Sequence, residues 1–353
     1  MKKSNSLHKI LSSCIIYDVR NPADSSIHFE RIMIPMKQTS IKNSILLFIT
    51  ASIWGVAFVA QSVSADYIGA FTFNCIRCLM GGLVLIPCIF LLDKFTSTND
   101  PDTDTATTSA NNPPASIDKS WHNPKLYAGG IACGILLCIA SNLQQIGIQY
   151  TTVGKTGFIT ALYVVFVPIA GLFMKKKCPP ITWVSVILSV IGLYLLCMTN
   201  GLTLQKGDFF VLICAIVFTF HIIVIDYFVN FVDGVKMSCI QFIVSGLVSG
   251  IGMFLWEQPQ MGDIMAAKVT ILYAGILSCG VGYTLQIVGQ KDVNPTVASL
   301  ILCLESVISA LAGWLILGQS MNGRELTGCI LMFTAIVLSQ LPAPNSSNTS
   351  KRT

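Results

Sequence analysis

Long apolar segments separated by short polar connections recur along the whole chain. A helix needs roughly 20 predominantly apolar residues to cross the hydrocarbon layer of a bilayer. Ten segments approach that length, at about 45–63, 71–92, 126–149, 156–174, 181–199, 208–230, 236–256, 269–289, 295–317 and 325–341. Most connections contain helix-breaking pairs such as Asn200-Gly201 and Asn294-Pro295. The pattern predicts an all-α membrane protein with ten transmembrane helices.

Three segments lack this apolar character. Residues 94–124 are rich in Thr, Ser, Asp, Asn and Pro, with almost nothing to bury, so we expect a disordered loop there. Residues 1–41 are polar and mixed and lack the apolar core of a signal peptide, which favours a disordered cytoplasmic extension. An extended gene model, with translation starting at Met33 or Met36, is the alternative. Residues 342–353 are expected to form a cytoplasmic tail.

The composition supports a membrane protein. About 53% of the residues are apolar and 11% are charged, against roughly a quarter charged in a typical soluble domain. Most of the 13 cysteines lie inside apolar segments, where a thiol behaves as a small hydrophobic group. Cys75 and Cys78 form a CxxC motif without a second pair nearby, so packing is favoured over redox or metal chemistry.

The basic residues indicate an orientation. With a cytoplasmic N-terminus, 17 of the 22 Lys and Arg residues fall on the inner side and 4 on the outer side, and Arg77 lies inside a span. Basic residues concentrate in cytoplasmic loops, so both termini are predicted to be cytoplasmic. The net charge of +5 suits anionic lipid head groups rather than nucleic acid.

The two halves of the chain resemble each other. A shift of 164 residues places Gly82-Leu83-Val84 on Gly246-Leu247-Val248, and a shift of 142 places Leu143-Gln144 on Leu285-Gln286. The long loop absorbs the difference between the two shifts. Each half, 42–200 and 201–341, therefore holds five spans. Because five is odd, the second repeat must enter the membrane in the inverted orientation.

An inverted repeat favours transport, because exchanging the conformations of two such units opens a central site to alternate sides. The helical rise of roughly 1.5 Å per residue places Trp54 and its repeat mate Phe218, and the mates Tyr163 and Glu305, at about one depth. The candidates for substrate binding are Trp54, Arg77, Tyr163, Phe218, His221 and Glu305. The substrate would be a small molecule; a membrane scaffold or sensor without transport is the alternative.

Each of these candidates also has a structural interpretation. A carboxylate at the bilayer centre costs on the order of 3 kcal/mol or more, so Glu305 is either a proton-responsive or cation-recognising group or the structural partner of Arg77. Arg77 is in turn an anion clamp or one half of that ion pair. His221 could relay protons, although a packing role is favoured. The aromatic candidates could surround an organic substrate or pack in a core.

Polar residues at helical spacing indicate faces that avoid lipid. Asn142, Gln145 and Gln149 recur on the third span, and Tyr283, Gln286 and Gln290 on the eighth. Buried amides need partners, so these faces must look inward. We expect Gln145, Gln286 and Gln241 (the repeat mate of Arg77) to line a path for the substrate; hydrogen bonding between spans is the alternative for these faces.

Sequence motifs of other classes are missing. The chain contains no GxxxxGK[ST] phosphate loop, no HExxH, no GxSxG and no His/Cys cluster at metal-binding spacing. We therefore expect neither enzymatic activity nor a metal or cofactor.

Several segments resemble the EamA family of the drug/metabolite transporter superfamily. They are Ile53–Ala60 (IWGVAFVA), the mid-span Arg77, Ala161–Pro168 (ALYVVFVP) and Leu304–Val307 (LESV). The resemblance covers about residues 42–341. It implies ten helices in two inverted repeats, a bacterial inner-membrane location and movement of small metabolites such as amino acids, often outward. A homodimer is left open. The chain departs from the family at Gly318-Gln319 and Lys176-Lys177, where Gly-Glu is common, and at Ser306, which replaces a proline.

Overall fold

A computed structural model describes residues 41–98, 120–151, 153–175, 179–197, 205–291, 293–317 and 322–339. The predicted N-terminal extension, most of the predicted loop and the C-terminal tail lie outside these residues. In the described part every regular secondary-structure element is a helix, and turns connect them.

The helices follow one another in the order of the predicted spans. They are α1 (Ile41–Ala65), α2 (Ala70–Thr98), α3 (Pro124–Ile148), α4 (Val153–Ala161), α5 (Tyr163–Phe173), α6 (Pro180–Cys197), α7 (Lys206–Phe228), α8 (Gly234–Trp256), α9 (Met261–Ala266), α10 (Lys268–Leu272), a π-helix (Tyr273–Tyr283), α11 (Thr284–Gln290), α12 (Pro295–Leu302), α13 (Glu305–Leu317) and α14 (Gly323–Ser339).

The all-α membrane class is confirmed. Eight helical segments of the described chain are long and apolar enough to cross a bilayer. The predicted spans near 181–199 and 325–341 correspond to α6 and to the 17-residue α14, which fall short of that standard. The number of ten crossings and the inverted arrangement stay predictions.

Three features of the structure differ from the elements predicted from the sequence. The predicted loop at 94–124 starts too early, because α2 continues to Thr98; the backbone hydrogen bonds of a helix can extend past its apolar segment into polar sequence. The fourth span is interrupted by a turn at Leu162 and the ninth by a turn at Cys303 and Leu304; Leu162 and Cys303 keep right-handed helical dihedral angles, so both interruptions are slight. The eighth span contains the 11-residue π-helix.

Local sequence fixes several helix starts. Asn123, Asp233 and Asn294 precede α3, α8 and α12, and the side chain of each accepts a hydrogen bond from a backbone N–H of the first turn. Such caps satisfy donors that have no partner inside the helix. Because Pro124 and Pro295 occupy the first helical position, no N–H is left unpaired there.

Glycines allow the helices of the two halves to approach closely. Helix α8 packs along both α2 and α3, α3 packs along α7, and α6 along α14. A Cβ added at Gly82 would lie 3.0 Å from the Ile243 side chain, and one added at Gly246 would lie 2.7 Å from that of Leu79.

The cysteines with described side chains are free thiols, and all but Cys88 are buried, as the packing interpretation predicts. Large apolar side chains such as Phe254, which is 81% exposed, cover the outside and suit contact with lipid.

Candidate functional site

A cavity lies between the helices of the two halves, and both halves contribute side chains to it. The space between its lining atoms, including what opens to solvent, is about 510 Å³. The lining residues are Trp54, Ala57, Phe58, Gln61, Arg77, Gln144, Thr160, Tyr163, Phe218, Ile222, Ser278, Tyr283, Gln286, Leu302 and Glu305. Charged, amide, hydroxyl and aromatic groups thus face one space.

The two helix breaks position a hydrogen-bonded pair in this cavity. Tyr163 is the first residue of α5 and Glu305 the first residue of α13. The Tyr163 hydroxyl donates a hydrogen bond of 3.1 Å to Oε1 of Glu305. Both side chains are almost fully buried, and their residue numbers differ by 142. The repeat mates expected to share one depth are therefore in direct contact.

Arg77 is held from behind by side chains of its own helix. Its Nε donates a 2.7 Å hydrogen bond to Oδ1 of Asn74, and its guanidinium lies 5.2 Å from the ring centre of Phe73. Asn74 in turn donates to Asn142 at 3.1 Å, and Asn142 donates to Ser249 at 2.9 Å. This chain of hydrogen bonds through two amides and a hydroxyl fixes the guanidinium at the cavity wall. Among the described residues its two terminal nitrogens have no hydrogen-bond partner.

The ion pair that was the structural alternative for Arg77 and Glu305 does not form. Both residues line the cavity, but they contact different neighbours: Glu305 accepts from Tyr163 and Arg77 donates to Asn74. Buried charges of opposite sign that do not pair with each other need another compensating group. A ligand, an ion or water in the cavity can provide it.

Aromatic side chains form one wall of the cavity. The indole Nε1 of Trp54 donates to the backbone carbonyl of Ser278 at 3.4 Å, and its ring centre lies 4.4 Å from that of Tyr283. Phe218, the repeat mate of Trp54, also lines the cavity. This arrangement fits the expected aromatic surroundings of an organic substrate.

Five of the six predicted binding residues therefore face the same cavity, and His221 does not. His221 is fully buried behind the wall, with its ring centre 6.2 Å from those of Phe218 and Tyr283. Its Nε2 lies 3.1 Å from Oε1 of Gln241. This contact suits the packing role. Whether any of these residues binds substrate stays a prediction.

Of the three residues predicted to line a path, one lines the cavity and two contact other side chains or backbone. Gln286 lines the cavity. Gln145 instead donates to the backbone carbonyl of Gln61 at 3.0 Å, and Gln241 contacts His221. The neighbour of Gln145, Gln144, occupies the cavity wall and donates to Thr160 at 3.1 Å.

Several cavity residues were not predicted. For Gln61 and Gln144, helical spacing and the repeat register could have indicated the cavity. Gln61 lies two helical turns from Trp54, and Gln144 is the repeat mate of Gln286. The carbonyl oxygens of the Gln61 and Gln286 side chains are buried without a hydrogen-bond partner. Such unsatisfied acceptors fit positions that contact water or a ligand.

The chain matches a known family over most of its length. The model of the EamA-like transporter family matches twice, over residues 42–198 and 205–341. The chain belongs to the EamA-like transporter family. It is similar to proteins named uncharacterized transporters from Archaeoglobus fulgidus, with 25% identity over 84% of this chain and 84% of the relative, and from Clostridium kluyveri, with 24% identity over 58% and 70%. The family membership expected from the sequence is confirmed.

A solved structure has a similar fold. A protein of known crystal structure matches with a TM-score of 0.66 and 13% sequence identity, over 84% of this chain and 96% of that one. At that identity the likeness shows the fold alone. As an EamA-family protein with apolar spanning helices, the chain is a multi-pass membrane transporter. In the described residues no group of three or more His, Cys, Asp or Glu side chains is arranged to hold a metal ion.

Proposed function

We propose that this EamA-family protein is a secondary transporter of small metabolites such as amino acids, working by alternating access around the central cavity. Export from the cytoplasm, in a bacterial inner membrane and with both termini cytoplasmic, is the direction and setting that we propose. In the absence of a nucleotide-binding motif, an ion gradient, exchange or the gradient of the substrate itself would drive transport.

The charges of the cavity carry the proposal. Arg77 and Glu305 face the same space, are held by different neighbours and do not pair with each other. A zwitterion has a carboxylate for the guanidinium and an ammonium group for the carboxylate, so binding it would neutralise both. Guanidinium–carboxylate contacts are among the strong hydrogen bonds in proteins. The aromatic wall of Trp54 and Tyr283 would then face the rest of the molecule.

Contacts that exchange between the halves support the inverted repeat. Gly82 packs on Ile243 and Gly246 on Leu79, and in each case the second-half residue number exceeds that of its mate by 164. The acidic residues near the ends of α2 and α8 show the same exchange. Asp93 pairs with Lys236, and Glu257 accepts from Thr72. Asp93 and Glu257 are mates 164 apart, and so are Thr72 and Lys236. A pseudo-twofold relation between the halves would produce both exchanges.

The broken helices support alternating access. Irregular backbone at membrane depth is tolerated where it lines a cavity, and broken helices are typical of the substrate sites of transporters. Here the breaks at Leu162 and at Cys303–Leu304 fall directly before Tyr163 and Glu305. Each interruption is a place where the span could bend while the cavity opens to one side.

A membrane scaffold or sensor is the alternative function. It predicts that Arg77 and Glu305 can be replaced together by apolar residues without loss of function. The transporter proposal predicts that this double replacement abolishes flux, because the substrate loses both charged partners.

Three related compounds test the proposal sharply. Purified protein in liposomes is assayed with a labelled amino acid, with the amine that lacks its carboxylate and with the acid that lacks its ammonium group. Wild type should prefer the amino acid over both. Arg77→Gln should abolish the preference over the amine, and Glu305→Gln the preference over the acid. Each loss should be about tenfold or more, since a hydrogen bond to a charged group contributes about 1.5–3 kcal/mol.

Matched controls change the same charges outside the cavity. Arg324→Gln removes a guanidinium that stacks on Tyr194, and Glu325→Gln alters an exposed contact with Asn322; neither should change the preference. No wild-type flux of any compound across a broad panel of metabolites would refute the transporter proposal. A pH dependence of wild-type transport that persists in Glu305→Gln would remove the proton role of Glu305.

A further inference from the structure

The π-helix of the eighth span has no counterpart in the third span. Under the repeat register, residues 273–283 correspond to part of α3, which is a regular α-helix throughout Pro124–Ile148. A π-helix closes i→i+5 hydrogen bonds instead of i→i+4, so its turns hold more residues, and it occurs frequently at functional sites. Here it borders the cavity with Ser278 and Tyr283.

The sequences of the two spans show where the extra residue enters. Gly134–Cys138 reads GILLC and Gly275–Cys279 reads GILSC, a shift of 141 residues. Further along, Leu143-Gln144 matches Leu285-Gln286 and Gly147 matches Gly289 at a shift of 142. Four residues separate Cys138 from Leu143, whereas five separate Cys279 from Leu285. The second half therefore has one additional residue within 280–284.

Helix contacts before the extra residue support the shift of 141. A Cβ added at Gly134 would lie 2.7 Å from Cβ of Val244, and one added at Gly275 would lie 2.7 Å from the sulfur of Met80. Val244 and Met80 are themselves repeat mates, 164 residues apart. Gly134 and Gly275 thus occupy equivalent places against equivalent partners.

Contacts after the extra residue support the shift of 142. A Cβ added at Gly147 would lie 2.5 Å from the side chain of Val211, and one added at Gly289 would lie 3.1 Å from that of Leu47. Val211 and Leu47 are also 164 apart. Both ends of the eighth span therefore keep the packing of the third, and the π-helix between them accommodates one inserted residue.

The insertion determines which side chains share the cavity wall. Successive residues of an α-helix are about 100° apart, so residues five apart point about 140° away from each other. Ser278 and Tyr283 are five apart and nevertheless line the same cavity, because a π-turn spans five residues. In α3, by contrast, Gln144 lines the cavity, and neither Ser141 nor Asn142, which match Tyr283 at shifts of 142 and 141, does.

Tyr283 is placed to contact a ligand. It is 6% exposed, and its ring is fixed between Trp54, at 4.4 Å, and Phe242, at 5.5 Å between ring centres. Its hydroxyl has no hydrogen-bond partner among the described residues. The hydroxyl is not among the sealed side-chain atoms that lack a partner, so it is accessible from the cavity that Tyr283 lines, where a polar group of a ligand can bond it.

We propose that Tyr283 is a specificity-determining residue of the transport cavity, held there by a one-residue insertion that makes the eighth span a π-helix. The inference rests on the proposed transport function. The hydroxyl would bond a polar group on the side chain of the substrate, while the ring would limit the size of that side chain.

A pair of deletions tests the insertion without any transport assay. Val281 and Ile139 are both on the outer surface, 38% and 45% exposed. Deleting Val281 should let the π-helix become α-helical with both ends in register, so the protein stays monodisperse in detergent and melts near wild type. Deleting Ile139 should rotate half of α3 by about 100° and cause loss of folded protein. Equal damage from both deletions, or equal tolerance, would overturn the insertion.

Tyr283→Phe tests the specificity role, with Tyr273→Phe as its control. Tyr273 lies in the same π-helix, but its hydroxyl donates to the backbone carbonyl of Ile53 at 2.9 Å and is not part of the cavity. In liposomes, Tyr283→Phe should change the KM of some amino acids about fivefold or more relative to others. Tyr273→Phe should keep the wild-type order of preference.

The outcomes separate this inference from the proposed function. Wild-type transport with an unchanged order of preference in Tyr283→Phe overturns the specificity role and leaves the transporter proposal intact. Absence of wild-type transport for the whole panel overturns the proposed function and the role of Tyr283 together, while the deletion pair still decides the insertion.

Discussion

Single methyl groups matter where the helices of the two halves cross. At Gly134 an added Cβ would lie 2.7 Å from Cβ of Val244 and 2.8 Å from the backbone oxygen of Gln241. Backbone atoms cannot move aside as a flexible side chain can. The contact is therefore sensitive to any residue larger than glycine.

Gly134→Ala should destabilise the protein by about 1–3 kcal/mol, the usual cost of overpacking, partly offset by the better helix propensity of alanine. The measurement is the melting temperature in detergent. Gly262→Ala is the control, since Gly262 is also helical and nothing lies within 4 Å of its added Cβ. A melting temperature of Gly134→Ala at or above that of the control would contradict this account.

The sequence predicts much of the site at this scale, but not its fine detail. Intramembrane charge and repeat symmetry were enough to predict that Arg77, Tyr163 and Glu305 share the cavity. Gln145 stays a predicted path residue, but its neighbour Gln144 is the one that lines the cavity, because neighbouring residues on a helix differ by about 100° and the sequence does not fix the rotation of a span that closely. Only the packing of α3 against α7 and α8 fixes it.

At the scale of the elements, one carboxylate joins two helices. Glu257 follows the last residue of α8 and accepts hydrogen bonds from the backbone N–H groups of Phe71 and Thr72, at 2.9 and 2.8 Å, and from the Thr72 hydroxyl at 2.6 Å. These groups belong to the first turn of α2, where free N–H donors and the helix dipole favour a negative charge. Glu257 thus caps a helix of the other half.

Glu257→Gln should lower the free energy of unfolding by about 1–3 kcal/mol, because the amide NH₂ then faces donors that need an acceptor. Melting temperatures in detergent measure the effect. Asp93→Asn should cost less, about 0–1 kcal/mol, since the Asp93 side chain in its pair with Lys236 is 49% exposed. Asp263→Asn is the neutral control, since Asp263 lines a small surface pocket together with Thr72 and Glu257. An Asp93→Asn effect larger than that of Glu257→Gln would contradict this ranking.

Helix positions were predictable because each span is a long apolar segment bounded by polar residues. The breaks in the fourth and ninth spans were not, since Leu162 and Leu304 are ordinary helix formers without glycine or proline at the break. The π-helix was missed for a similar reason. One extra residue in an apolar segment changes neither its length class nor its hydropathy, and only comparison of the two halves exposes it.

At the scale of the whole molecule, the orientation of the halves decides the mechanism. Asp66 and Asn230 are repeat mates, 164 apart, and both are exposed in the connections that follow α1 and α7. Inverted repeats place such mates on opposite sides of the membrane, and parallel repeats place them on the same side.

Single cysteines at these positions, in a background without the native cysteines, test the arrangement. A membrane-impermeant maleimide should label Asp66→Cys in intact cells, and Asn230→Cys only after permeabilisation, because the basic residues predict a cytoplasmic N-terminus. Labelling of both from the same side would refute the inverted repeat and, with it, the exchange of conformations on which the transport proposal depends.

The hydrogen bond between Tyr163 and Glu305 has an evolutionary consequence. If the halves descend from one ancestral unit that functioned as a pair, the same side chain stood at both places. Two facing carboxylates would repel each other, and two tyrosines would bring no charge. Fusion of two such genes would free the positions to diverge, so that one half could acquire the acid and the other its hydrogen-bond donor. The asymmetry of this pair is then a property that only the fused chain could evolve.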